Sequence, residues 1–142
     1  MKAIVIAVSF SVVLAGCTSV TVRPVDKAAG LKHVCIQENP KVAVADFLTV
    51  LRDGFDRNGI STEVVSSPAP RQCEYLLTYT ALRSWDFSPF LSHAELRIER
   101  GGRQVAYAEY HLIGKGGLSL TKWAGTKSKM DPVIDELLGG NR

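Results

Sequence analysis

The sequence predicts an α+β fold in which two helices pack on one face of a mostly antiparallel sheet of four to five strands. Two observations support it. Apolar residues recur with a helical period in two segments, and the remaining segments alternate in polarity or are rich in β-branched residues. The predicted order is β-α-β-β-β-β-α, which is typical of this class. The chain of 142 residues suffices for one domain, which we place at residues 31–142.

The first half of the domain alternates between extended and helical segments. Residues 32–36 predict a short strand, which ends before Pro40 because proline cannot donate to a ladder. Residues 42–58 predict an amphipathic helix, and Gly59 supplies its stop. The apolar face of this helix contains Val44, Leu48, Leu51 and Phe55. Residues 61–66 predict a second strand.

Two long strands and a hairpin follow. Residues 73–85 are rich in β-branched and aromatic side chains, and residues 91–99 alternate strictly between apolar and polar. Gly101-Gly102 predicts a hairpin turn, from which residues 103–113 return. This return strand has two candidate core faces, and we favour the one rich in alanine because small side chains let a helix approach. The two faces are Val105 with Tyr107, or Ala106 with Ala108, Tyr110 and Leu112.

A glycine-rich loop and a second helix complete the predicted domain. The loop covers residues 114–125, and the helix covers residues 128–138. Because successive strands alternate in direction, this loop and residues 86–90 should lie at one end of the sheet. The Gly101-Gly102 turn should lie at the other end.

The N-terminus carries the pattern of a bacterial export signal. Residues 1–16 combine a positive start with an apolar stretch that is too short to span a membrane. They run into Leu14-Ala15-Gly16-Cys17, which resembles the lipobox of bacterial lipoproteins at all four positions. That resemblance implies cleavage before Cys17 and acylation of Cys17. The alternative is an ordinary secretory signal that happens to end near a cysteine.

The residue after Cys17 bears on the destination of the protein. Lipoproteins held in the inner membrane often carry Asp at this position, whereas this chain carries Thr18. The resemblance therefore implies an outer-membrane anchor facing the periplasm, with the inner membrane as the weaker alternative. We expect residues 17–30 to form a tether between lipid and domain, although residues 20–22 could instead join a sheet edge.

Two further cysteines, Cys35 and Cys73, fit the oxidising periplasm. They form an even pair once Cys17 is set aside, which favours a disulfide. The alternative is a reactive redox pair, but their spacing is unlike the C-x-x-C motif of that chemistry.

Three segments resemble a group of small gammaproteobacterial lipoproteins. They are residues 51–55 (LRDGF), 78–86 (TYTALRSWD) and 130–138 (MDPVIDELL). The resemblance implies an envelope location and brings no catalytic residue with it.

The sequence offers little catalytic chemistry. The formal net charge of +3 is too balanced for a nucleic-acid surface, and no P-loop, Gly-x-Ser-x-Gly or H-E-x-x-H motif is present. We therefore predict no catalytic residue, cofactor or metal ligand. One alternative stays open: His93 and His111 would face each other after a three-residue turn, although a two-residue turn would separate them. With Asp86 nearby, they could form a metal or acid–base site instead of being solvated strand residues.

The predicted loop end of the sheet is the best candidate for a partner surface. It collects aromatic and cationic residues of the kind found in binding hot spots. These residues are Trp85, Phe87, Phe90, Lys115, Lys122 and Trp123. The alternative is that Trp85 and Phe87 pack beneath the loops as a small satellite core.

These features predict a non-enzymatic, lipid-anchored accessory protein of the envelope, with an envelope protein or peptidoglycan as its partner. A small periplasmic enzyme acting on cell-wall or lipid substrate and an immunity-type inhibitor are the alternatives.

Overall fold

Six strands form one sheet in the computed structural model, which describes residues 18–140. The strands are β1 (Thr18–Arg23), β2 (His33–Gln37), β3 (Ser61–Val65), β4 (Tyr75–Asp86), β5 (Ser88–Arg100) and β6 (Arg103–Leu112). Their spatial order is β1-β6-β5-β4-β2-β3. Strand β2 runs parallel to β3 and to β4, and the other neighbours are antiparallel.

The α+β class is confirmed, but the sheet is mixed and has one strand more than predicted. The additional strand is β1, at one edge. The parallel pairing of β2 with β3 arises because a helix connects them, and a crossover of this kind returns the chain in the same direction.

Two helices, α1 (Phe47–Arg57) and α2 (Thr126–Leu137), cover one face of the sheet. The ring of Phe47 stacks on Tyr79 of β4 with centroids 5.6 Å apart. The helices also approach each other closely: a Cβ placed on Gly54 would lie 2.8 Å from Cγ2 of Ile134. Helix α1 starts five residues later than predicted, because the amide of Val42 donates to the carbonyl of Asn39 in a turn that precedes it.

The residues after Cys17 belong to the sheet. Strand β1 pairs antiparallel with β6, with Thr18 opposite Leu112 and Val22 opposite Ala108. Further on, the amide of Val25 donates to the carbonyl of Leu137 at 2.8 Å. Residues 18–23 therefore form an edge strand of the sheet and not part of a tether. The sequence had left this sheet-edge position open for residues 20–22.

The hairpin between β5 and β6 has a register that its turn alone would not give. The Gly101-Gly102 turn has two residues, with Arg100 opposite Arg103. The register then shifts, because Val105 is an extra residue between the pairs Glu99–Gln104 and Ile98–Ala106. This bulge brings His93 directly opposite His111 despite the short turn. The alanine-rich face of β6 is buried, which confirms the favoured alternative.

A disulfide joins Cys35 of β2 to Cys73, which confirms that prediction, and their Cα atoms are 5.8 Å apart. Within residues 18–140 no helix is long and apolar enough to cross a membrane. The predicted signal peptide and the lipidation site Cys17 lie outside the described residues.

Candidate functional site at the loop end of the sheet

The segments that follow β4 and β6 meet at the end of the sheet opposite the Gly101-Gly102 turn. The first is tighter than the predicted loop over residues 86–90, because β4 and β5 continue to Asp86 and Ser88 and leave Phe87 alone at the turn. Phe87 has a φ of 59°, a left-handed conformation that is unusual for a bulky residue. The second segment holds a turn at Ile113–Gly116, in which Gly114 and Lys115 are left-handed with φ of 57° and 55°, and a short 3₁₀ turn at Leu120–Trp123.

Large apolar side chains are exposed at this end. Trp85 and Phe87 are 72% and 89% exposed, so they do not form the satellite core that was the alternative. Leu118 is fully exposed and Leu120 is 80% exposed. We refer to the exposed apolar residues Trp85, Phe87, Ile113, Leu118 and Leu120 as the loop-end patch. Several large apolar side chains exposed at one end of a fold often mark a surface that contacts a partner or a membrane.

Lys122 and Trp123 support the patch from inside. The buried amine of Lys122 pairs with the carboxylate of Asp86 and donates to the carbonyl of Gly117 at 2.9 Å. It also lies 4.4 Å from the centroid of the Trp123 ring. The indole N–H of Trp123 donates to the carbonyl of Asp86 at 2.8 Å. These contacts tie the 3₁₀ segment to the β4–β5 turn.

A second buried lysine, Lys129 of α2, fixes the same segment to the sheet. Its amine donates to the carbonyl of Leu91, at 2.9 Å, and to the carbonyl of Lys122. It also faces the rings of Phe90 and Tyr110, at 5.6 and 6.0 Å. Burial lowers the pKa of Lys129 to about 8, because an apolar environment disfavours the charged amine.

The six residues predicted as a partner surface thus divide into two groups. Trp85, Phe87 and Lys115 are exposed at the loop end. Phe90 and Lys122 are buried and Trp123 is partly buried. These three residues lie beneath the exposed ones and hold them in place. Ile113, Leu118 and Leu120 were not predicted. Their only signal in the sequence is that they are apolar residues within a glycine-rich segment that has no regular period.

The predicted histidine pair comes together on the open face of the sheet, whereas Asp86 lies apart. The Nδ1 atoms of His93 and His111 are 3.3 Å apart, and Nε2 of His93 is 3.2 Å from a carboxylate oxygen of Glu95. Glu109 of β6 lies opposite Glu95. We call these four residues the histidine cluster. Asp86 is at the far end of β4, where it pairs with Lys122.

The carboxylates of the histidine cluster are held by neighbouring side chains. Arg97 donates to Glu95 at 2.8 Å, and this hydrogen bond is the main cause that lowers the pKa of Glu95. The hydroxyl of Tyr107 donates to Glu109 at 3.2 Å. The pKa of Tyr107 is raised, chiefly by burial and also by this hydrogen bond.

Comparison with known proteins shows the fold. No protein-family profile and no curated protein sequence matches this chain. The solved structure of a PelC dodecamer from Paraburkholderia phytofirmans is similar, with a TM-score of 0.56 and 14% identity over 87% of this chain and 98% of the PelC chain. A PelC variant dodecamer from the same organism gives a TM-score of 0.53 and 15% identity over 82% and 97% of the two chains. These likenesses establish a shared architecture.

Proposed function

We propose that the protein is a non-enzymatic, lipid-anchored accessory protein of the bacterial outer membrane that seats its loop end on the lipid surface. One observation carries this proposal. Thr18, the residue after Cys17, already belongs to β1 and lies opposite Leu112, next to Ile113 of the loop-end patch. Adjacent Cα atoms are about 3.8 Å apart, so a lipid attached to Cys17 would lie directly beside the loop end, with no spacer segment between the lipid and the sheet.

The chemistry of the loop end suits a lipid interface. Tryptophan combines an apolar ring with a polar N–H and is favoured where hydrocarbon meets headgroups. Phe87, Leu118 and Leu120 add apolar area that is otherwise exposed to water. Lys115, also exposed, can attract anionic headgroups. In this proposal the acyl chains supply the affinity, and the loop-end patch fixes the orientation of the domain.

A protein or peptidoglycan partner then meets the domain away from the membrane. Strands β1 and β3 form the two edges of the sheet. An exposed edge offers unpaired backbone groups to an added strand. Because the lipid concentrates the domain at one surface, a weak edge interaction is enough for occupancy.

Fluorescence of Trp85 in vesicles tests the seating. The lipidated full-length chain is reconstituted with brominated phospholipids, and the signal of a Trp85→Phe variant is subtracted to remove Trp123. We expect Trp85 to be quenched by the brominated lipids and shielded from aqueous iodide. Trp85 quenched by iodide alone would mean that the loop end faces the periplasm, which overturns the seating while leaving the lipid anchor intact.

Two further variants separate the anchor from the patch. Cys17→Ala should release the protein from membranes in cells, and full retention of that variant would contradict the lipid anchor. A Leu118→Ser/Leu120→Ser variant should stay anchored but lose the quenching of Trp85 by brominated lipid. Val105→Ser is the matched control, because Val105 is a partly exposed apolar residue beside the opposite turn, and it should leave the quenching unchanged.

Self-association is a second candidate, favoured by the likeness to a protein that forms dodecamers. Copies held on one membrane would have their exposed edge strands at high effective concentration. Light scattering of the lipidated chain in detergent, followed over a range of protein concentrations, measures its mass. A discrete oligomer supports this candidate, and a monomer at every concentration contradicts it.

A further inference from the structure

The histidine cluster contains two pairs of like groups that face each other on neighbouring strands. His93 lies directly opposite His111, and Glu95 lies directly opposite Glu109. Two carboxylates in opposite positions of an antiparallel pair destabilise a sheet. Beside these carboxylates, the facing imidazoles of His93 and His111 bring two nitrogen atoms with lone pairs close together. A bound cation between the strands would turn this cost into a favourable interaction.

The spacing of the nitrogen atoms fits a tetrahedral ion. Zn²⁺ binds imidazole nitrogen at about 2.0–2.1 Å, which places two ligand atoms of a tetrahedron about 3.4 Å apart. The Nδ1 atoms of His93 and His111 are 3.3 Å apart. A carboxylate oxygen of Glu109 lies 3.9 Å from Nδ1 of His93. The ligand atoms that now lie within 4.8 Å of one another are those of His93, Glu95 and Glu109, so the partly exposed Glu109 side chain must rotate toward His111 when the ion binds.

The neighbouring side chains determine which atoms of His93 and Glu109 are available to an ion. The Nε2 atom of His93 is occupied by Glu95 at 3.2 Å, so its Nδ1 atom is the one available to an ion. The other oxygen of Glu95 accepts from Arg97. Tyr107 donates to one oxygen of Glu109 and leaves the other facing His93. A carboxylate on the far nitrogen is the usual way in which a metal-binding histidine is held.

We propose that this cluster binds one Zn²⁺ ion through Nδ1 of His93, Nδ1 of His111 and a carboxylate oxygen of Glu109. Glu95 positions His93 without binding the ion. Imidazole with carboxylate is a donor set that suits Zn²⁺. A fourth ligand position opens into a cavity of about 410 Å³ that both histidines line, so water or a group of a bound partner completes the coordination.

The other histidine of the described chain provides a matched control. His33 also lies beside a carboxylate, with Nε2 at 3.9 Å from Glu63, and close to Cys35. The sulfur of Cys35 is in the disulfide and is not a thiolate ligand. The Nδ1 atom of His33 faces the hydroxyl of Ser61 at 2.8 Å. This group lacks the facing imidazole that the histidine cluster has.

Competition against a chromophoric zinc chelator tests the proposal, using the full-length lipidated chain in detergent without a histidine tag. We expect one Zn²⁺ per chain. Affinity should fall more than about tenfold in His111→Ala and in Glu109→Gln, about 10–100-fold in Glu95→Gln, and not at all in His33→Ala. Urea unfolding of each variant checks that it is folded.

Histidine ¹⁵N chemical shifts identify the ligand atoms. Zn²⁺ should move the Nδ1 resonances of His93 and His111 and leave those of His33 in place. Three results would overturn the proposal: no zinc taken from the chelator, equal loss of affinity in His33→Ala, or unchanged affinity in a folded His111→Ala variant.

Discussion

Loss of the disulfide should remove a large share of the stability of the domain. The bond between Cys35 and Cys73 closes a loop with a sequence separation of 38 residues, which contains α1 and β3. On the chain-entropy model, freeing a loop of about 38 residues costs about 4 kcal/mol. Domains of this size are stable by about 5–15 kcal/mol, so a Cys73→Ala variant should stay folded with a much smaller margin.

Urea unfolding followed by circular dichroism measures the effect. With a slope of about 2 kcal/mol per molar urea, the midpoint should fall by about 2 M. Cys73→Ala suits the test because Cys73 is only partly buried, whereas Cys35 is fully buried and its thiol can remain as a small apolar group. Reductant should destabilise the unmutated chain by a similar amount and leave the variant unchanged.

Two outcomes would refute this reasoning. If Cys73→Ala unfolds within about 1 kcal/mol of the unmutated chain, the unfolded state is already restricted and the chain-entropy account fails here. If alkylation before reduction labels both Cys35 and Cys73 in protein exported to the periplasm, the bond is absent in that compartment.

Three other perturbations test the packing. The pKa of Lys129 is about 8 in the folded state and 10.5 in the unfolded state, so the unfolded state binds more protons between these pH values. The free energy of unfolding should therefore rise with pH across that window, by about 1.4 kcal/mol per pH unit. Urea unfolding should show this rise in the unmutated chain and not in Lys129→Met. If the free energy of unfolding changes equally with pH in both proteins, the explanation is wrong. Trp123→Phe removes the donor to the Asp86 carbonyl and should cost about 1 kcal/mol in thermal unfolding; an unchanged midpoint would mean that water replaces the bond. Gly54→Val should cost about 2 kcal/mol by the same assay, because its Cβ would meet Ile134 at 2.8 Å, and a cost near zero would show that the helices separate easily.

The alternation of residues 91–99 and the alanines of β6 were sufficient to predict the core face of the hairpin, because side chains of a strand alternate with a fixed period. The register was not predictable in the same way. It depends on a bulge at Val105. Without that bulge, the two-residue turn would place Val105 rather than Ala106 opposite Ile98 and would turn the other face of β6 to the core. The facing pair His93 and His111 therefore stayed an alternative until the structure was known.

Strand β1 was harder to predict because it is short and mostly exposed. Its residues carry no strong burial pattern, and its partner β6 lies far along the chain. At the loop end, the position of the site was predictable but the burial of its residues was not. Topology was enough to place it, but lysines are usually exposed, so the burial of Lys122 and Lys129 had no signal in the sequence.

The pairing of β1 with β6 also sets an order of events during synthesis. The first strand of the domain has β6 as its strand neighbour, and that partner is synthesised late. The unit of β2, α1 and β3 can form earlier, since its contacts are closer in sequence. Until Arg103–Leu112 arrives, residues 18–23 stay unpaired beside Cys17. An enzyme that acylates Cys17 would then meet an extended chain, and closure of the sheet would follow acylation. If Cys17 is acylated as proposed, the pairing of β6 with β1 would be the folding step that brings the domain next to its lipid.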